Sequence, residues 1–255
     1  MRPVFANSAT IKVPECLVLA SGGGRPIRLG VRFGVWIHPK AGPVLIDTGY
    51  GPEVTRGRRG LFLRLYARLL RPRLEGQPED VLARLGYTKD DVRTVFVTHF
   101  HADHISGLRR FPNARYIASG WPNVRAQSVW QQLRHGIFAE LIPDDFEARL
   151  TAVENLPPID LPFATGFDIF GDGSVLALPL PGHAAGHCGL VWPEEKLIYA
   201  ADAQWVSEAF RSDRAPRGPA RLVYDDETAM TASLDLLRRA EAAGYEIVLC
   251  HDPIA

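Results

Sequence analysis

The stretch "VFVTHFHADHISGL", Val95 to Leu108, gathers His99, His101, Asp103 and His104 just where an apolar run ends. On an extended chain residues two apart point to the same side, so His99 and His101 present their imidazoles together. Asp103 and His104 follow where the chain has to turn, and "HISGLRRF" reads as the next helix. A strand-to-helix loop can aim these four donors at two nearby points. On a single helix the same positions would spread around the circumference. Four such polar side chains are costly to bury without partners. Histidine and carboxylate donors without cysteine suit Zn²⁺, with Mn, Fe or Co as alternatives. The competing reading is a solvated polar loop that binds nothing. Against it stand further candidate donors at the ends of other strand-like runs: Asp47, His183, Asp202 and His251.

The elements that must carry these donors are legible as alternating patterns. "VRFGVWI" (31–37) and "GPVLIDTG" (42–49) read as a hairpin, with Asp47 closing its second strand. Runs at 92–100, 174–183, 196–203 and 245–252 each lead to a donor. Residues 78–86 start with Pro and acids and stop at Gly86, as helices do. Residues 226–243 place Met230, Leu234 and Leu237 on one helical face before Gly244. Strands alternating with helices predict an α/β architecture, in one domain spanning 1–255. Two segments, about 50–77 and 121–160, break the alternation and read as helical insertions over the active-site face. Within the first, Leu61, Phe62, Leu65, Tyr66 and Leu69 recur at helical spacing, while Arg64, Arg68 and Arg71 form another face. Such a helix would line an apolar channel, pack on the core, form a homodimer face or rest on a membrane surface. His38 and His135 read as ordinary surface or loop histidines.

"HFHADH" resembles the HxHxDH signature of the metallo-β-lactamase superfamily. Its companions follow in order: "LIDTG" at Asp47, "PGHAAGH" at His183, "YAADA" at Asp202 and "LCHD" at His251. The resemblance runs from about residue 30 to the end. It implies a four-layer αβ/βα sandwich with two metal ions at one edge of the sheets. By the same resemblance His99, His101 and His183 hold one ion, Asp103, His104 and His251 hold the other, and Asp202 bridges both. His187 competes with His183, but the family pattern uses the first histidine of "PGHxxGH", which leaves His187 behind the ligands. Asp47 then orients a ligand histidine through its second nitrogen.

Seven ligands of this kind are most like the branch that holds acyl-homoserine lactonases and glyoxalase II. The reaction implied is hydrolysis by a metal-bridging hydroxide, opening a lactone (quorum quenching) or a related ester, with Asp103 handling the proton. A glyoxalase II-like thioesterase is the nearest alternative. A mononuclear iron persulfide dioxygenase is a more distant one, using only His99, His101, His183 and Asp202. True β-lactamases lack a counterpart of His251 and often use a cysteine at the second metal, which the motifs here do not show. Lactonases commonly carry a tyrosine three residues after the bridging aspartate. Trp205 stands there, so Trp205, Tyr50, Tyr66 and Phe62 are the candidate substrate contacts, and Tyr224 a further substitute for the missing phenol.

Bulk properties agree with a small-molecule enzyme. The 255 residues are 46% hydrophobic, enough for a substantial core. Basic and acidic residues both number 29, and this neutrality weighs against a nuclease or other nucleic-acid partner. Three cysteines without a CxxC pair fit a reduced, cytoplasmic setting. No run approaches the ~20 apolar residues of a membrane span.

Overall fold

Alternate residues of each central strand enter different apolar clusters, and this sorts the chain into layers. The computed structural model describes residues 1–20, 22–212 and 224–253. The first sheet holds β1 (Val4–Pro14), β2 (Pro26–His38), β3 (Gly42–Ile46), β4 (Arg73–Leu74), β5 (Thr94–Phe96), β6 (Arg115–Ala118) and β7 (Leu150–Ala152), in the order β4-β1-β2-β3-β5-β6-β7. The second holds β8 (Pro158–Asp160), β9 (Thr165–Asp168), β10 (Leu176–Pro179), β11 (Cys188–Trp192), β12 (Leu197–Ala201) and β13 (Glu246–Leu249), in the order β13-β12-β11-β10-β9-β8.

Val44, Ile46, Phe96 and Ile117 from the first sheet meet Ala177, Leu190, Trp192 and Tyr199 from the second, so the two sheets pack face to face. Their neighbours Leu45, Val95, Val97 and Tyr116 turn the other way, into a cluster with Val54, Leu63, Val81 and Ile105. Those four come from the helical side: α1 (Pro52–Thr55), α2 (Leu61–Leu70), α3 (Pro78–Arg84) and α4 (Ala102–Ile105). On the far side Leu176, Leu178, Val191 and Ile198 pack on Leu234, Leu237 and Ala240. These last belong to the long helix Glu227–Ala242. The result is the helix–sheet–sheet–helix order of an αβ/βα sandwich.

The two interrupting segments are only partly helical cover. The first supplies α1 and α2, then returns as β4, which pairs with β1 at the sheet edge. The second supplies α5 (Trp121–Ala126) and α6 (Val129–Arg134), then contributes β7 and β8, the edge strands of both sheets. Strands of two or three residues carry too little alternation to be read from sequence. β1 is likewise unread, because its mixed "VFANSATIKVP" lies half-buried along β2.

Candidate metal centre

The donors converge because parallel strands end at a common edge. β3, β5 and β6 run parallel, as do β12 and β13, and ligands in α/β proteins gather beyond such carboxyl ends. β3 leads into Asp47 and β5 into Thr98, His99 and His101. α4 begins at Ala102, so Asp103 and His104 lie in its first turn and not in a loop ahead of it. β12 ends one residue before Asp202, and β13 leads to His251. Two of these strand ends are strained: Asp47 has φ 55° and Ala201 has φ 45°, a region non-glycine residues rarely enter. The turn of "PGHAAGH" needs glycine at 182. Its φ is 126°, and a Cβ there would lie 2.2 Å from the Met230 backbone nitrogen.

Two groups of donor atoms result, each gathered within 4.8 Å: His99, His101 and His183; and His104, Asp202, Cys250 and His251. Asp103 joins the second, with Oδ2 3.4 Å from His251 Nε2 and 3.8 Å from His104 Nε2. Asp202 lies between the groups, Oδ2 being 3.4 Å from His183 Nε2 and 3.1 Å from His251 Nε2. All seven predicted ligands are buried.

The tautomers of three imidazoles follow from their partners, since a carbonyl or carboxylate only accepts. His104 Nδ1 donates to Asp47 Oδ2 at 2.8 Å, and His251 Nδ1 donates to the Gly30 carbonyl at 2.8 Å. Thr98 Oγ1 gives its proton to Asp47 Oδ2, so it accepts from His99 Nδ1 at 3.1 Å. Each of these rings therefore turns an Nε2 lone pair toward the others or toward carboxylates. Lone pairs facing carboxylate oxygens at these distances repel unless a proton or cation lies among them. His99 Nε2, His104 Nε2 and Asp202 Oδ1 are buried with no hydrogen-bond partner among the described residues. A donor set of neutral imidazoles and carboxylates, fixed from behind and orphaned in front, fits two divalent ions.

The electrostatics divide along the same line. Burial drives His183 down to about 3 and holds His99 and His101 well below the usual imidazole range, so these three stay neutral. Burial also opposes charge on His104, but Asp47, Asp202 and Asp103 outweigh it and push its pKa well up. His251 is raised in the same way, chiefly by Asp202. The carboxylates thus draw positive charge to the second donor group and not to the first. His187 donates Nδ1 to Leu180 O at 2.8 Å and accepts from the Asp202 backbone at 3.2 Å, which puts it behind the bridging position.

Above the centre lies a cavity of about 450 Å³. Its floor holds His101, Asp103, His183, Asp202 and His251, and one wall is Ile11, Val13, Val18 and Leu29. Tyr50 and Tyr66 line it too, with their hydroxyls 2.6 Å apart, as does Trp205. Tyr224 stands 6.1 Å from Trp205 and 6.3 Å from His183, ring to ring. Phe62 is not part of the lining. It is half-exposed and meets the Trp130 ring at 6.0 Å, because α2 turns Leu63, Tyr66, Ala67 and Leu70 inward instead.

Three residues depart from the sequence reading. His135 is buried, lines the cavity and stacks 6.3 Å from His101. His38 is buried too, bonded to Asp172 at 2.9 Å. Cys250 brings a sulfur to the second donor group, although it also accepts from Arg32 N at 3.4 Å. Its place directly before His251 was the available signal.

The family model described as the metallo-beta-lactamase superfamily matches residues 29–245. The chain is 30% identical to an N-acyl homoserine lactonase AttM of Azorhizobium caulinodans, over 92% of this chain and 86% of that protein. Among solved structures it is similar to an N-acyl homoserine lactone hydrolase with N-hexanoyl-L-homoserine bound at the catalytic metal centre (TM-score 0.70, 20% identity, covering 98% and 92% of the two chains). It is also similar to AidC, a dizinc quorum-quenching lactonase (TM-score 0.68, 17% identity, covering 98% and 87%).

Proposed function

The chain belongs to the metallo-beta-lactamase superfamily, and from that premise we propose that it is a dinuclear metal-dependent hydrolase that opens the ring of N-acyl homoserine lactones. One observation carries the reading: two groups of buried, inward-facing donors form the floor of a largely apolar cavity. His99, His101 and His183 would hold one ion, Asp103, His104 and His251 the second, and Asp202 both. Two divalent cations there supply a polarised carbonyl and a water acidified to a pKa of about 7.

The chain's own groups then divide the work. Asp103, at the cavity floor, orients the nucleophile and carries its proton toward the departing alkoxide. The Tyr50–Tyr66 pair stays protonated, since burial raises both phenols, and offers a hydrogen bond to the substrate carbonyl where Trp205 has replaced the usual tyrosine. The aliphatic wall of Ile11, Val13, Val18 and Leu29 accepts the acyl chain. The grouping of Asp103 with His104 and His251 favours hydrolysis over mononuclear iron chemistry, which gives those residues no part.

Elemental analysis followed by a substrate panel tests the proposal. Two zinc-like ions per chain are expected, with cleavage of homoserine lactones from butanoyl to dodecanoyl faster than cleavage of thioesters, aryl esters or phosphoesters. One iron per chain with oxygen uptake, or turnover confined to thioesters, overturns it.

A further inference from the structure

Helix α2 presents two apolar faces, and the fold covers only one. Leu61 is 63% exposed, Phe62 46%, Leu65 54% and Leu69 79%, all on the side away from the core. Through Phe62 this face joins α6, where Val129 is 65% and Trp130 74% exposed. A contiguous apolar patch of this kind marks an interaction surface.

Along this segment the charge is one-sided, although the Glu140 carboxylate accepts from Gly60 N at 2.8 Å at the start of α2. Between residues 54 and 74 stand Arg56, Arg58, Arg59, Arg64, Arg68, Arg71 and Arg73, with no Asp or Glu. Among the described residues none of them forms an ion pair, and all but Arg59 are exposed. A second copy docked by two-fold symmetry would bring this arginine set against itself. An anionic lipid surface meets both chemistries at once: acyl chains for the leucines and aromatics, phosphates for the guanidinium groups. The cavity also opens here. Leu69, Leu70, Leu133 and Arg134 line it, so an apolar tail lying in a leaflet reaches the centre along continuous apolar surface.

We propose that the α2–α6 face docks on anionic lipid bilayers. The docking does not depend on which bond the centre cleaves, and its test needs no turnover. The full chain is sedimented with vesicles of phosphatidylcholine alone and of equimolar phosphatidylcholine and phosphatidylglycerol. Binding to the anionic vesicles only is expected, weakening as salt is raised. Arg64→Gln and Arg68→Gln should each weaken it about fivefold. The triple variant Leu61→Ser, Leu65→Ser, Trp130→Ser should abolish it with an unchanged circular dichroism spectrum and melting temperature. A chain that stays in the supernatant with both vesicle types overturns the proposal. So does equal binding to both. A dimer in light scattering that the triple variant splits, with no vesicle binding, assigns the face to a second copy instead.

Discussion

At the scale of single residues the centre is organised from behind. Asp47 accepts from Thr98 N, Thr98 Oγ1 and His104 Nδ1, each at 2.8 Å, so one buried carboxylate fixes a strand end and an imidazole tautomer together. Asp47 belongs to neither donor group itself; it holds His104, a member of the second, from behind. Asp103 faces the cavity, and Asp103→Asn keeps the side chain's shape while removing its basicity. We expect kcat for the best lactone to fall by about two to four orders of magnitude, with the circular dichroism spectrum retained. An unchanged rate removes Asp103 from the proton's path. His187 gives a pH test away from the donor atoms. Burial holds it down to about 4 from its ordinary 6.5. Above pH 6.5 it is neutral folded and unfolded; from 6.5 down to 4 the unfolded chain takes up a proton and the native state does not. Native stability therefore falls over that window by about 3 kcal/mol on account of this group, and stays lost below it. Urea unfolding of wild type and His187→Gln should diverge in slope between pH 6.5 and 4. Parallel curves would show that His187 is not held neutral. The place of His135 beside the centre carries no spacing signal, and neither does the pairing of the Tyr50 and Tyr66 hydroxyls. They meet the centre only after α2 and α6 fold over it.

At the scale of elements, what was legible is what has a period. The hairpin of β2 and β3, α3 from Pro78, and the long helix closed by Gly244 all show their pattern over several residues. The short edge strands β4, β7 and β8 do not, and they turned two presumed insertions into parts of the sheets. Helix α2 misled for a different reason. Its apolar residues occupy two arcs, and spacing alone cannot say which arc faces inward; the covered one holds Leu63, Tyr66, Ala67 and Leu70. The sheet-to-sheet layer allows a direct test. Phe96 is fully buried between the sheets and lies on the strand that leads to His99. Phe96→Ala should cost about 3–5 kcal/mol in urea unfolding, the range for a cavity left by a core aromatic. A loss under about 1 kcal/mol would mean the layers can close over the gap. Gly182→Ala acts on an element boundary instead. Strain at φ 126° and the Met230 backbone oppose it, so it should destabilise by more than about 1 kcal/mol and displace the neighbouring His183.

At the scale of the whole molecule, the centre draws on remote parts of the chain, from Asp47, which supports a donor near one end, to the donor His251 near the other. His251 reaches back to the Gly30 carbonyl, and Asp252 O accepts from Gly30 N at 3.3 Å, so closing the centre also ties the C-terminal segment to β2. Cations held there would link both sheets. They would bind the native state far better than an unfolded chain whose ligands lie up to 150 or so residues apart, as loop closure alone requires. Stability should thus depend on metal by mass action: about 2.7 kcal/mol is gained when free zinc exceeds its dissociation constant a hundredfold. Chelation should lower the melting temperature, and zinc should restore it. Acid should remove the zinc increment before it unfolds the apo chain, because His104 and His251 hold protons tightly beside Asp202 and Asp103 and a cation must displace them. Scanning calorimetry with and without zinc across pH 8 to 5 measures this. The increment should shrink steadily as pH falls. A melting temperature indifferent to zinc at every pH would mean that the buried donors do not bind it.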